Sequence, residues 1–405
     1  MNLLRKNSLD KITNLIFFNK KYRILIVLFI LFFFPKNSFA NEVYQNINQG
    51  KYYFLMDLDN KEVLLSRNAD EKIPPSSMTK LMTAYVVFDQ IKKGIVKLDN
   101  RCMIGKDAWR KTGSSMFLNY GDVVSIEDLL KGLLAVSAND AAIALAQTTS
   151  SSYDAFIKLM NSKALELNMK NSHFMNPHGL HENGHYMTLR DLATLALRLY
   201  EDFPEYSKFL GISEFTYHNI TQRNRNPLIK KNYDGTLGGK TGHTNQGGYG
   251  VVAVVKRENR RLVAVVNKAP NPKLRENIIT ELFDYGFKNY KKINFFEKDE
   301  VITKINVWLG HKSKVGAIIK DRIDFNIPHN KSIEDIKIHT EFKSPLYAPI
   351  KKDSKIGTLF VEIKGIKTIK YDLYAKENID KVGYIRKIKR VLEYKAKNFF
   401  KSKSS

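Results

Sequence analysis

Apolar residues change their spacing several times along this chain, and each change marks a candidate element. Ile24 to Phe34 is one unbroken apolar run behind Arg5, Lys6, Lys20, Lys21 and Arg23. It is too short for a span of roughly 20 residues. Pro35 and the small residues Ser38 and Ala40 follow it, so residues 1–40 read as a signal peptide cleaved after Ala40, with an uncleaved signal anchor as the alternative. Tyr52 to Asp57 and Glu62 to Ser66 flank Asp59-Asn60, a hairpin signal. After Pro74-Pro75, with Ser76 as the expected N-cap, Leu81, Met82, Tyr85, Val86 and Phe88 recur at helical spacing as far as Gly94. Ser125 to Thr148 is helical in pattern but interrupted at Ser137-Ala138-Asn139. Two further helices are expected over Tyr153–Leu167 and Leu189–Tyr200. Val251–Val255 and Leu262–Val266 predict a second hairpin, and Lys273–Phe287 a last helix. Strands at both ends with helices between predict an α+β domain over 41–290, an antiparallel sheet with helices packed on it.

From about Ile293 the period shortens. Val301–Val307, Lys314–Ile319, Ile336–Thr340, Ile356–Ile363 and Thr368–Leu373 alternate between turn signals and predict a small β-sandwich domain over 293–375. Residues 378–405 differ again. Val382, Ile385, Ile388, Leu392, Ala396 and Phe399 form an apolar stripe against a face rich in Lys and Arg. This is the pattern of an amphipathic helix lying in an anionic membrane surface, with a helix docked on the protein's own β domain as the alternative.

Charge and cysteine content narrow the setting. The formal net charge is +25. Residues 1–40 carry seven Lys/Arg and one Asp, so a processed chain keeps +19. An exported protein does not normally meet nucleic acid, which leaves anionic lipid and anionic wall polymer as the expected partners of this charge. The single cysteine, Cys102, excludes an internal disulfide. No paired base lies near it in sequence, so it reads as a small core or surface residue and not as a nucleophile.

Candidate chemistry begins at Ser77-Met78-Thr79-Lys80. A serine and a lysine three residues apart on a helix share a face, and an amine there can take the proton of a hydroxyl. Ser8-Leu9-Asp10-Lys11 has the same spacing, so the pair alone means little. Ser137-Ala138-Asn139-Asp140, at the break between two helical runs, aims a hydroxyl and an amide toward a cleft. Gly239-Lys240-Thr241-Gly242-His243 leads into a strand and offers a cation, a hydroxyl and a position without a side chain, where substrate can approach the backbone. Ser66-Arg67-Asn68 and Lys111-Thr112-Gly113 copy the second and third patterns. Their place in the order and their contexts, a strand end and a loop, argue against them. His181-Glu182-Asn183-Gly184-His185 fits a zinc-protease pattern, but that chemistry needs a helix, and this segment reads as loop and turn.

The ordered set Ser77/Lys80, Ser137/Asn139, Lys240/Thr241/Gly242 resembles the signature of penicillin-recognising serine enzymes. With Gly113-Ser114-Ser115-Met116-Phe117-Leu118, His178-Gly179-Leu180, Arg225 and Arg275, residues 42–290 resemble the low-molecular-mass penicillin-binding proteins of the D-alanyl-D-alanine carboxypeptidase family. The β domain and basic C-terminus resemble that family's stalk and membrane anchor. Ala138 departs from the glycine common in the family. The resemblance implies a β-lactamase/transpeptidase-like fold and hydrolysis of peptidoglycan stem peptides, with β-lactams as covalent inhibitors and no metal or organic cofactor. It places the protein on the periplasmic face of the cytoplasmic membrane. Ser77 would be the nucleophile, Lys80 its base, Ser137 a proton relay and Asn139 a positioning group. Lys240 and Thr241 would face the substrate carboxylate, with Arg225 and Arg275 as orienting candidates and His178 a structural residue at the cleft edge. The Ser77 and His243 N–H groups would form the oxyanion hole. A D,D-endopeptidase, a β-lactamase and a non-catalytic wall-binding protein are the alternatives; the β-lactamase lacks its Glu-x-x-Leu-Asn pattern here.

Overall fold

The computed structural model describes residues 44–392, apart from 364–366, Arg386 and Arg390. The expected signal peptide, the Ser8 pair and most of the expected C-terminal helix lie outside those residues. Strands β1 (Tyr52–Asp57) and β2 (Val63–Arg67) form the first hairpin. Two short pairs follow, β3 (Arg101–Met103) with β4 (Val123–Ser125) and β5 (Glu214–Tyr217) with β6 (Ile220–Arg223). Strands β7 (Thr236–Thr244), β8 (Gly248–Arg257) and β9 (Arg260–Ala269) join the first hairpin in a five-stranded antiparallel sheet of order β2-β1-β9-β8-β7.

The centre of this sheet is buried on both faces, which is why β8 and β9 read as continuous apolar runs. Alternation still decides what each face meets. Phe54, Met56, Val252, Val254, Val263 and Val265 belong to the main core with the helices Lys80–Lys92, Asn139–Thr148 and Leu189–Asp202. Leu55 and Leu262 point the other way, to the Pro272–Asn289 helix, where a Cβ on Gly286 would press on both side chains. Cys102 is a core residue, 7% exposed.

The second domain holds a six-stranded sheet, β14-β16-β17-β12-β11-β15, and the pair β10 (Tyr290–Phe296) with β13 (Ile323–Pro328). In the larger sheet β11 is Val301–Trp308, β12 Lys314–Ile318, β14 Ile336–Glu341, β15 Leu346–Tyr347, β16 Lys355–Ile363 and β17 Lys367–Ala375. Ile305, Leu359 and Leu373 from the larger sheet share one core with Phe325 and Ile327 from the pair. The fold is thus α+β followed by an all-β domain. Five strands of that domain fall where alternation places them. Strands β10, β13 and β15 were not anticipated. The first, Tyr-Lys-Lys-Ile-Asn-Phe-Phe, has no clean alternation and follows a helix without a Gly or Pro break.

Ser76 corrects one local expectation. It does not cap the helix: its φ is 52°, and its hydroxyl lies 3.0 Å from Thr244 Oγ1 on β7. Residues Ser76–Thr79 form a 3-10 turn, without a side-chain cap, that runs into the Lys80–Lys92 helix. Among the described residues no helix is long and apolar enough to cross a membrane. Tyr384, Ile385, Lys387–Lys389, Val391 and Leu392 are helical, with Ile385 83% and Leu392 61% exposed.

Candidate active site

The 3-10 turn holds Ser77 between β7 and the loop around Gly179. A Cβ on Gly242 would lie 2.9 Å from the Pro75 carbonyl oxygen and 3.2 Å from the Ser77 nitrogen, so only glycine lets the strand lie this close. Gly179, at φ +82°, packs on the Ser76 carbonyl, where any side chain would overlap the oxygen. Ser77 itself stays half-buried at the surface of this joint.

Lys80 is fully buried and makes three contacts. Its Nζ lies 3.0 Å from Ser77 Oγ, 2.8 Å from Asn139 Oδ1 and 2.7 Å from the His178 carbonyl oxygen. The last two atoms only accept, so they take two N–H groups. The Asn139 amide is fixed in this orientation because its Nδ2 donates to the Thr112 carbonyl at 2.8 Å. A neutral amine has two N–H groups and one lone pair. With both N–H groups spent, the lone pair faces the Ser77 hydroxyl. Burial, reinforced by the positive charges of Lys240 and Arg225, holds Lys80 well below the usual ammonium range and favours that neutral form.

Asn139 begins the Asn139–Thr148 helix, directly after an abrupt stop. Gly132–Val136 widen into a π turn, and Ser137 takes φ 69°, ψ 31°, left-handed for a residue with a side chain. A strained residue at such a break is common at functional sites. Ser137 is 2% exposed. Among the described residues its hydroxyl has no assigned hydrogen bond, so the structure sets it two residues from Asn139 without joining it to Lys80.

Asp140 was quoted in the sequence motif without a role, and it has one. Its buried carboxylate accepts from Ser115 Oγ at 2.6 Å, Met116 N at 3.1 Å and Leu118 N at 3.2 Å. It thereby anchors the loop whose upstream residues touch Asn139: Thr112 through its carbonyl, Ser114 by accepting the Asn139 N–H at 2.6 Å, and Gly113, where a Cβ would meet the amide at 2.7 Å. The Lys111-Thr112-Gly113 copy is therefore not incidental to the site. It serves as a backbone rest for Asn139, a use that a search for a cation beside a strand does not detect.

Lys240, Thr241 and Gly242 lie on β7, the strand beside Ser77. Lys240 is 2% exposed and, among the described residues, donates only to the Thr241 carbonyl at 3.1 Å. Burial, then the charges of Arg225 and Arg275, lowers it to about 7. Arg225 donates to Ser114 Oγ at 2.6 Å and forms no ion pair with the described residues. Arg275, on the Pro272–Asn289 helix, is 9% exposed and leaves its Nε without a partner. Lys240 feels the charges of both arginines, and none of the three forms an ion pair among the described residues, an arrangement that attracts an anion. His243 is exposed and stacks on Tyr249 at 3.9 Å between ring centroids.

His178 contributes its carbonyl to Lys80. Its ring accepts from Leu180 N at 3.1 Å and is held neutral, at about 2, by burial and by Lys111 and Lys80. The His181–His185 segment is loop and turn. His185 Nδ1 accepts from Met175 N at 3.2 Å, so its Nε2 donates to Thr79 Oγ1 at 2.9 Å. The ring thus ties the nucleophile turn to the Met175 backbone, and His181 is exposed.

Residues 40–271 match the family model for D-alanyl-D-alanine carboxypeptidase. The chain belongs to that family. Residues 290–381 match the C-terminal domain of penicillin-binding protein 5. The chain is 35% identical over 369 residues to D-alanyl-D-alanine carboxypeptidase DacC of Escherichia coli, covering 88% of this chain and 92% of that one. Penicillin-binding protein 5 of Haemophilus influenzae superposes with a TM-score of 0.78 at 33% identity, over 82% of this chain and 98% of that one. The ampicillin-bound penicillin-binding protein D2 of Listeria monocytogenes matches at 27% identity with a TM-score of 0.54, over 59% of this chain and 97% of that one.

Proposed function

We propose that this protein is a serine-type D-Ala-D-Ala carboxypeptidase that removes the terminal D-alanine of peptidoglycan stem peptides through an acyl-enzyme on Ser77. The observation that carries the reading is the buried amine of Lys80, 2.8 Å from Asn139 Oδ1, 2.7 Å from the His178 carbonyl and 3.0 Å from Ser77 Oγ; in its neutral form the two acceptors take its N–H groups and leave the lone pair for the hydroxyl. Lys80 takes the hydroxyl proton as Ser77 Oγ attacks the penultimate carbonyl. The developing oxyanion sits against the N–H groups of Ser77 and His243, a type of contact worth about 3–4 kcal/mol in the transition state. Collapse breaks the peptide bond, and Ser137 gives its hydroxyl proton to the leaving D-alanine amine while taking the one held by Lys80, which returns to the neutral form. Water then attacks the ester, with Lys80 again receiving the proton, and Ser77 is regenerated. Lys240 and Thr241 hold the terminal carboxylate, with Arg225 and Arg275 strengthening the field that draws it in. A β-lactam enters the same path because its ring amide presents a carbonyl and a carboxylate at matching positions.

The setting follows from the ends of the chain. Residues 1–40 act as the export signal, the mature protein works on the outer face of the cytoplasmic membrane, and the basic amphipathic C-terminus holds it there. The exposed Ile385, Ile388 and Leu392 support that reading. The test is D-alanine release from a soluble pentapeptide. Wild-type protein should release it and Ser77→Ala should not. Folded wild-type protein without release would defeat the proposal.

A further inference from the structure

The segment leading into the active-site loop carries a surface that the reaction above does not use. Met103, Trp109, Phe117, Tyr120 and Val123 are 76, 47, 48, 58 and 54% exposed, a concentration of large apolar side chains in one stretch. Met103 and Val123 are register partners across β3 and β4. The Trp109 and Tyr120 rings lie 6.3 Å apart, with Arg110 over the first at 5.8 Å and Lys106 over the second at 5.9 Å. Phe117 is held at φ 65° with its ring half in solvent, so the chain bears backbone strain there without gaining full burial. The face is braced: Tyr217 donates to Asp122 at 3.3 Å, Gln222 to the Ser115 carbonyl at 3.0 Å, and Asp140 anchors residues 115–118. The same segment reaches the site, where the Thr112 and Ser114 carbonyls between Trp109 and Tyr120 accept from Asn139.

We propose that this aromatic face is a carbohydrate subsite that takes the amino-sugar chain to which the stem peptide is attached, which rests on the carboxypeptidase reading. Exposed rings offer flat apolar surface to the C–H faces of pyranose sugars, and the flanking Lys106 and Arg110 supply donors for hydroxyl and N-acetyl oxygens. Apolar patches of this kind on a soluble surface mark recognition sites. The short chain link between these rings and the Asn139 rest favours the glycan of the substrate itself over a separate partner.

Two arms test the subsite. In Trp308→Phe protein, where Trp109 is the remaining tryptophan, peptide-free glycan chains should change its fluorescence saturably. No change with glycan, or a change with phosphatidylglycerol vesicles instead, would overturn the subsite. In the second arm, kcat/KM is compared for disaccharide-pentapeptide and free pentapeptide. Wild type should favour the glycan-linked substrate by about tenfold, and Trp109→Ala/Tyr120→Ala should lose that preference while free pentapeptide stays within about twofold. An unchanged preference, or an equal loss on both substrates, would overturn it. Penicillin acylation of the double variant at the wild-type rate verifies its fold. If wild type releases no D-alanine from free pentapeptide, the carboxypeptidase reading fails, and the fluorescence arm still decides the subsite.

Discussion

Replacing Asp140 with asparagine should weaken the site without touching any group that contacts substrate. Asp140 is 1% exposed, so its hydrogen bonds compete little with water. One oxygen accepts from Met116 N and Ala141 N, the other from Ser115 Oγ and Leu118 N. In Asp140→Asn an NH2 group replaces one of these oxygens. Ser115 can turn its hydroxyl to accept, but a backbone N–H cannot, so at least one buried donor faces another donor. A buried unsatisfied group costs about 1–3 kcal/mol, and the remaining bonds lose their charge assistance, for a total of about 2–4 kcal/mol. Urea unfolding should show that loss. The loosened loop no longer fixes Thr112 and Ser114 against Asn139, so acylation by a fluorescent penicillin, followed by stopped flow, should slow by roughly ten- to a hundredfold. Wild-type stability together with a wild-type acylation rate would refute the role assigned to Asp140.

Lys80→Met should abolish measurable acylation while binding of a carboxylate substrate survives; retained acylation would remove Lys80 as the base. The pH profile of kcat/KM should fall on its alkaline side with an apparent pKa near 7, because free Lys240 is lowered to about 7 and loses its charge above that pH. Lys240→Arg should move that limb upward, since guanidinium stays charged, and an unmoved limb would assign it to another group. Gly179→Ala, which forces a side chain onto the Ser76 carbonyl at φ +82°, should cost about 3 kcal/mol or more in urea unfolding; a neutral result would show that the loop can shift. Deleting residues 384–405, which keeps the buried Ile379 in the β domain, should free the protein from phosphatidylglycerol vesicles in a flotation assay, and unchanged flotation would refute the anchor.

Much of the catalytic half was legible because its signals are local. Apolar runs placed β8 and β9, helical spacing placed the Lys80–Lys92 and Leu189–Asp202 helices, and the interruption expected at Ser137 falls where the structure has a π turn followed by a left-handed residue. What escaped detection depends on distant partners. Ser76 looked like a cap because serine commonly is one, but Thr244, far along the chain, claims its hydroxyl. The Thr112 and His178 carbonyls are backbone groups, invisible to residue type, yet both hold the Lys80–Asn139 pair in place. Asp140 could have been found by asking what a carboxylate beside a buried helix start would need, since burial of a charge demands several donors. Strands β3 to β6 are only three or four residues long, too brief for alternation to show.

The central claim is that Ser77, activated by Lys80, forms a covalent acyl-enzyme. Intact-protein mass analysis after brief exposure to a labelled penicillin tests it most directly. One adduct per chain, mapped to Ser77 and absent from Ser77→Ala, is the predicted result. An unmodified, folded wild-type protein, or an adduct that persists in Ser77→Ala, would contradict it.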